Sequence, residues 1–354
     1  MENSLEHASR HNAMNRLCRL PEELVEHITT FLGTGDDGIQ SLCALRLSCA
    51  HLYGKSFHHF GRIVLHTLNV EQSLGARWLR HVLLLLPNCR SFSIHLNYRW
   101  NYSLEHSRCG PSDGITMIMS IIAKTGIPVR SFSVYAHSSS SGLAFNDVDP
   151  RCLQFEVLED PAFINSWACV EKLMFHHNFI PGNIGEWVAG VIALAPKLKT
   201  LEIGFDYTPD AQIITKRLAT GPLVLSELRE LTLTEASEME WDELLALLRF
   251  TRRTLRYMKL ERLQLKGGSW IPLVTELDQF PFLEDLIIFW LSTSQRRALH
   301  FISLDNCLSG TPLEGKFKLD CKQFCGKKKA VYVSYRGPHM PVFLNALLQT
   351  ARDD

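Results

Sequence analysis

Two rhythms of apolar residues alternate along the chain. Over residues 20–52 the rhythm is helical. Leu24, Val25, Ile28, Phe31 and Leu32 recur at i, i+1, i+4, i+7 and i+8, one face of a helix. Pro21 opens it, where a missing N–H costs nothing and φ is already set. Glu22 and Glu23 place negative charge on the first turn, where the helix dipole favours it. Gly33 and Gly35 stop the helix, and Asp36 or Asp37 can cap a second. Ile39, Leu42, Leu45, Cys49 and Leu52 then repeat every three or four residues. The pattern predicts a helical hairpin.

Further on, a shorter phrase recurs: apolar-x-x-apolar-x-apolar. It stands at Cys89/Phe92/Ile94, Val129/Phe132/Val134, Val170/Leu173/Phe175 and Leu198/Leu201/Ile203. It continues at Leu228/Leu231/Leu233, Leu255/Met258/Leu260 and Leu283/Leu286/Ile288. The last four begin at 198, 228, 255 and 283, steps of 30, 27 and 28. The earlier steps are longer, so those units carry insertions. Between the phrases lie amphipathic segments at 78–86, 115–123, 184–192 and around Leu244, Leu245, Leu247 and Leu248. Each unit reads helix, turn, short strand. One such unit cannot cover both its faces, so neighbours must stack. The expected architecture is a parallel sheet lining the inside of an arc, with helices outside. An ordinary α/β sandwich is the alternative. Residues 342–351 read as a terminal helix capping the stack.

Composition narrows the picture. The 354 residues hold 37 Lys and Arg against 37 Asp and Glu, a formal net charge of zero. No strong attraction to nucleic acid or to an anionic membrane follows. Residues 1–16 are polar, with no apolar core of a signal peptide, and are expected to form a disordered tail. The longest apolar runs are too short to span a bilayer. The ten cysteines are scattered, without a Cys-x-x-Cys pair, and read as reduced thiols of a cytoplasmic or nuclear protein. Cys321, Cys325 and His339 lack an evident fourth ligand for zinc. No metal or cofactor is expected.

The phrase Leu20-Pro21-x-Glu23-Leu24, with Ile28 and Leu32, is followed by a short acidic turn. Then comes Leu42-x-x-Leu45-Arg46-x-Ser48, closing at Leu52. Together these resemble the F-box, over about residues 17–62. Phe57-His58-His59-Phe60 and Ile63-Val64-Leu65 look like the third helix and exit strand of fungal-type F-boxes. Two positions depart from the pattern: the inter-helix turn at 33–38 is long, and Ala50 stands where a basic residue is common. The resemblance implies docking on a Skp-type adaptor, and through it on a cullin–RING ubiquitin ligase. Leu20, Pro21, Leu24, Ile28, Leu42 and Leu45 are the adaptor-contact candidates, an apolar helix face left over for a partner groove. The later units resemble the irregular leucine-rich repeats common in F-box proteins, though the usual asparagine after the strand is mostly missing.

The expected fold is therefore α+β overall. Residues 17–62 form a small all-α F-box helical domain. Residues 63–354 form an α/β leucine-rich-repeat-like solenoid that binds substrate. The expected role is the substrate receptor of an SCF-type ligase, recruiting a protein for ubiquitination. A non-ligase scaffold holding a stable partner is the alternative. No nucleic-acid or membrane partner is expected.

Catalytic motifs do not point elsewhere. The chain has no Gly-x-Ser-x-Gly, Walker loop, dinucleotide fingerprint or His-Glu-x-x-His, so it is not expected to be an enzyme. The doublets His58-His59 and His176-His177 make poor chelators, because neighbouring strand residues point apart. Two long loops, 97–114 and 136–161, are rich in polar residues. Lys327-Lys328-Lys329 reads as a solvated turn before a strand at 330–335. Strand alternation places Thr200, Glu202, Glu230, Thr232 and Asp285 on the inner sheet face. With them go Tyr257, Lys259, Ile287 and Phe289, the substrate-contact candidates, which gather at one end. The competing expectation is that residues 323–348 fold back over them.

Overall fold

The computed structural model describes residue 28 and residues 90–96, 111–136, 148, 150–176, 184–205, 210–221, 225–295, 297–313, 316–324 and 327–353. Of the expected hairpin at 20–52 only Ile28 is included, helical and half-buried. The rest of that hairpin, and the segment at 78–86, lie outside the described residues. From Arg90 on, the described residues belong to one compact unit, Arg90–Asn101 with Gly110–Asp354.

The recurrent phrase folds as a ladder of strands. They are β1 (Ser91–Leu96), β2 (Ser131–Ala136), β3 (Lys172–His176), β4 (Thr200–Gly204), β5 (Glu230–Thr234), β6 (Tyr257–Glu261) and, after a two-residue β7 (Gln264–Leu265), β8 (Asp285–Phe289). Apart from β7 they lie side by side in chain order, each parallel to the next. Their second and fourth residues are buried in every case, from Phe92 and Ile94 through Leu286 and Ile288. The apolar residue that opens each phrase is buried too, from Val129 to Leu283.

Helices return the chain from one strand to the next. They are α1 (Pro111–Thr125), α2 (Pro161–Trp167), α3 (Ile184–Ala193), α4 (Asp210–Thr220), α5 (Trp241–Thr251) and α6 (Ile271–Leu277). Asp160 caps α2 by accepting from the Ala162 amide at 2.8 Å, and Pro161 follows it. Aromatic rings tie helices to sheet. Trp167 meets Phe132 edge-on at 5.3 Å and stacks on Phe163 at 5.0 Å. Its indole N–H donates to the Val191 carbonyl at 2.9 Å, joining α2 to α3. Trp187 packs edge-on to Phe175 at 6.2 Å.

The corner after the strand is built the same way three times. Glu235, Arg262 and Trp290 follow β5, β6 and β8, with φ of 57°, 51° and 52°. Their amides donate to Glu261, Phe289 and Val331 carbonyls at 2.9, 2.8 and 3.0 Å, each on the neighbouring strand. Left-handed corners favour asparagine, the residue the sequence lacks here. The backbone turns regardless, held by those bonds. Beyond the corner, β7 pairs in parallel with β9 (Ser292–Thr293), and Met239 bridges to Leu265.

The C-terminal end departs from the purely parallel order. A β-hairpin, β11 (Phe317–Phe324) and β12 (Lys327–Arg336), lays β12 antiparallel against β8. β10 (Leu299–Ile302) pairs antiparallel with β12, and β13 (Ala351–Asp353) antiparallel with β10. The result is an eleven-stranded, mostly parallel sheet. Lys327, Lys328 and Lys329 therefore start a strand opposite Phe324, Gln323 and Lys322, not a turn. After α7 (Leu304–Leu308), the terminal helix α8 (Met340–Thr350) stops one residue short of expectation, because Ala351 begins β13. Of residues 323–348, those in β12 extend the sheet and those in α8 pack on its helix side, where Phe343 meets Tyr335 at 5.1 Å, rather than over its open face. No helix among the described residues is long and apolar enough to cross a membrane.

Candidate partner-binding face

Helices cover one face of the sheet. The strand residues between the buried positions form the other face, in three rows set by register. One row runs Lys172, Thr200, Glu230, Tyr257, Asp285 and Arg336. The next runs Met174, Glu202, Thr232, Lys259, Ile287 and Ser334. The third runs His176, Gly204, Thr234, Glu261, Phe289 and Tyr332. The expected substrate-contact residues Tyr257, Lys259, Ile287 and Phe289 thus stand side by side, all half-buried. Thr232 and Thr234 on the same face are buried, screened by larger neighbours.

Two clusters divide this face. The first joins β2, β3 and β4. The rings of Tyr135 and His176 stack at 5.7 Å, 5° from parallel. The Tyr135 hydroxyl donates to the Met174 sulfur at 2.9 Å. His176 Nε2 lies 2.7 Å from Glu202 Oε1. That hydrogen bond holds the Glu202 carboxyl below the usual carboxylate range, against the opposing effect of burial. Gly204 makes room: a Cβ there would stand 2.7 Å from His176 Nδ1. Burial, then the Glu202 charge, raise the Tyr135 phenol above its ordinary value.

The second cluster joins β6, β8 and β12. Phe289 meets Tyr332 edge-on at 5.8 Å and Trp290 at 6.4 Å. The Arg262 guanidinium lies 5.7 Å from the Phe289 ring centre and 2.6 Å from Glu235 Oε1. Lys259 pairs with Glu261 at 2.7 Å. Burial pulls the Lys259 ammonium down, but the bond and charge of Glu261 outweigh it and the pKa stands above its ordinary value. Burial also raises the Tyr257 phenol, with Lys259 and a hydrogen bond to Thr232 opposing. Trp290 is 44 % exposed. Aromatic rings framed by paired charges are the make-up of a protein-binding patch.

Sequence reasoning placed Tyr257, Lys259, Ile287 and Phe289 on this face and missed Tyr135, Arg262, Trp290 and Tyr332. Tyr135 fits the same alternation one residue past the phrase. Tyr332 comes from a strand whose partner was not foreseen. Among the adaptor-contact candidates, Leu20, Pro21, Leu24, Leu42 and Leu45 lie outside the described residues. No group of three metal-ligating side chains is close enough to hold an ion among the described residues. Behind the sheet, a cavity of about 430 Å³ lies at the α3 and α4 surface, lined by Ala189, Gly190, Ala193, Leu218, Leu225 and Phe250 among others. The Arg217–Glu186 ion pair, 2.8 Å, forms part of its wall.

Comparison with protein-family models and with curated proteins returned no match to this chain.

Proposed function

We propose that the chain is the substrate-receptor subunit of an SCF-type cullin–RING ubiquitin ligase, acting in the cytoplasm or nucleus. Residues 17–62 form an F-box that docks on a Skp-type adaptor. The open sheet face recruits the protein to be modified. The chain itself carries out no chemistry; it holds a substrate near a ubiquitin-conjugating enzyme, which accelerates transfer by proximity. The open face supports the recruiting half of this reading. Phe289 meets Trp290 and Tyr332, and Tyr257 stands on the adjacent strand, on a surface that no described helix covers. The docking half rests on the pattern of Leu20, Pro21, Leu24, Ile28, Leu42 and Leu45. Replacing Leu20 and Pro21 together with Ala tests it. Loss of buried interface anchors costs about 2 kcal/mol or more, a drop of over tenfold in adaptor affinity. Adaptor pull-down at the wild-type level would remove the F-box assignment. If the adaptor binds, the half-life of captured partners with and without the protein separates a ligase receptor from a stable scaffold.

A further inference from the structure

The edge of the sheet where the strands begin carries a second ordered surface. One charged residue precedes each parallel strand: Arg90, Arg130, Glu171, Lys199, Arg229, Arg256 and Glu284 stand before β1 to β6 and β8. Their backbones are locked in register. The Arg130 carbonyl accepts from the Glu171 amide at 2.8 Å, Glu171 from Lys199 at 2.8 Å, and Lys199 from Arg229 at 2.8 Å. Arg229 then accepts from Arg256 at 2.7 Å, and Arg256 from Glu284 at 2.8 Å. Successive rungs are therefore about 4.8 Å apart at the backbone.

The ladder is not self-neutralised. Lys199 pairs with Glu171 at 3.1 Å and Arg256 with Glu284 at 3.5 Å. Arg229, between them and exposed, makes no ion pair among the described residues, and neither does Arg130. Lys199, Arg229 and Arg256 are three like charges on adjacent strands; Glu171 and Glu284 answer the outer two, and the central Arg229 is left unanswered among the described residues. Dipole compensation does not account for these three. They sit at strand entries, whereas the basic residues in the last helical turns are Arg217 in α4 and Arg249 in α5. Apolar surface lies at the same edge. Phe250, in the last turn of α5, and Phe282, in the turn before β8, are each 53 % exposed. Phe250 also borders the cavity at α3 and α4.

We propose that this strand-entry rim binds an extended acidic polypeptide segment, with an apolar side chain of that segment set beside Phe250 at the cavity. Charge complementarity fixes the sign of the occupant. Its length follows from the ladder: Glu171 and Glu284 close the basic run at three rungs, about 10 Å across. That span suits two or three acidic residues of an extended peptide, which advance about 3.3 Å each. It is too short to track a nucleic-acid backbone. The exit of β5 is acidic, with five Asp and Glu in residues 235–243, and would repel a long polyanion. This surface is separate from the open sheet face, and the inference does not rest on the ligase reading.

Selection of a displayed library of random peptides of about twelve residues on the immobilised full-length protein tests it. The expected result is enrichment of sequences with clustered Asp and Glu beside a large apolar residue. Binding of the selected peptide, read by fluorescence anisotropy, should weaken about tenfold or more in Arg229→Glu and in Phe250→Ala, and weaken as salt rises. Both positions are exposed, so the variants should melt like wild type. If Arg229→Glu unfolds the chain, Arg256→Gln supplies the same comparison. Enrichment without acidic residues, no enrichment, unchanged affinity in these variants, or equal binding of an oligothymidylate probe would each overturn the proposal.

Discussion

His176 on β3 and Glu202 on β4 lie Nε2 to Oε1 at 2.7 Å across the open face of the sheet. The contact exists because Gly204, opposite His176 in register, leaves its ring somewhere to lie. Both side chains are only about a quarter exposed, so solvent screens the contact less than it would at the surface.

Glu202→Gln should lower stability by about 1 kcal/mol at pH 7, the usual size of a partly buried charge-assisted hydrogen bond. Glu202 has a folded-state pKa below its unfolded one. Its contribution is therefore full above the ordinary carboxylate value of about 4 and fades as pH falls through the folded value. Denaturant titrations of both proteins should differ at pH 7 and converge in acid. Gly204→Ala should disturb the same contact through backbone-borne bulk and mimic the loss. A pH-independent gap between wild type and Glu202→Gln would show that the charge is not involved.

Asp210 behaves in the opposite sense. Its side chain is 2 % exposed at the start of α4. One carboxylate oxygen accepts from the Gly185 amide at 3.3 Å, while the other has no hydrogen-bond partner among the described residues. Burial pushes its pKa up to about 6, with the Gly185 bond opposing. The bound proton favours the folded chain, so this stabilisation is full below about pH 4 and lost as pH rises through about 6. Asp210→Asn keeps an acceptor for Gly185 and removes the charge. It should stabilise the protein at pH 8 by at most about 3 kcal/mol, two pKa units at about 1.4 kcal/mol each. The gain should vanish below pH 4. Equal stability of the two proteins at pH 8 would mean that the carboxylate is solvated.

The last strand anchors a helix distant in sequence. Asp353 in β13 accepts from the Trp270 amide at 2.9 Å, at the start of α6. The Trp270 indole donates to the Ser292 carbonyl at 2.8 Å. Asp353 thus serves as a capping acceptor supplied from 83 residues away. Asp353→Ala should cost about 1 kcal/mol, as loss of a helix cap does. It should also raise hydrogen exchange at the Trp270 amide. Unchanged exchange there would argue against the cap.

What could be read from the sequence follows from periodicity. The parallel strands announced themselves because they obey one rule: buried apolar residues at the second and fourth positions, mostly polar ones between. The helices α1, α3 and α5 showed broad apolar stripes. Helix α4 did not, since only Ala211, Ile214 and Leu218 mark its inner side among charged residues. Helix α6, with seven residues, is too short to show a period. The β11–β12 hairpin escaped because Lys327, Lys328 and Lys329 mimic a turn, although antiparallel pairing tolerates lysine near a sheet edge. The charged ladder was legible, one residue after the opening apolar position of every phrase. Attention to apolar positions alone passed over it.

The open face yields the most direct test of recruitment. Tyr257 and Phe289 occupy adjacent strands and point away from the helices, half-buried by neighbours such as Tyr332 and Thr232. Truncating them should cost about 1 to 2 kcal/mol each, because only part of each ring leaves water on folding. Phe175→Ala is the contrast. That ring is 1 % exposed and packed on Trp187, and its removal should cost about 3 to 5 kcal/mol. Each single variant, Tyr257→Ala or Phe289→Ala, should therefore melt above Phe175→Ala and closer to the wild type, while losing capture of partners that accumulate under proteasome inhibition. Capture at the wild-type level would place the partner elsewhere. A melt as depressed as that of Phe175→Ala would show that the two rings belong to the core, and would withdraw this face as the recruiting surface.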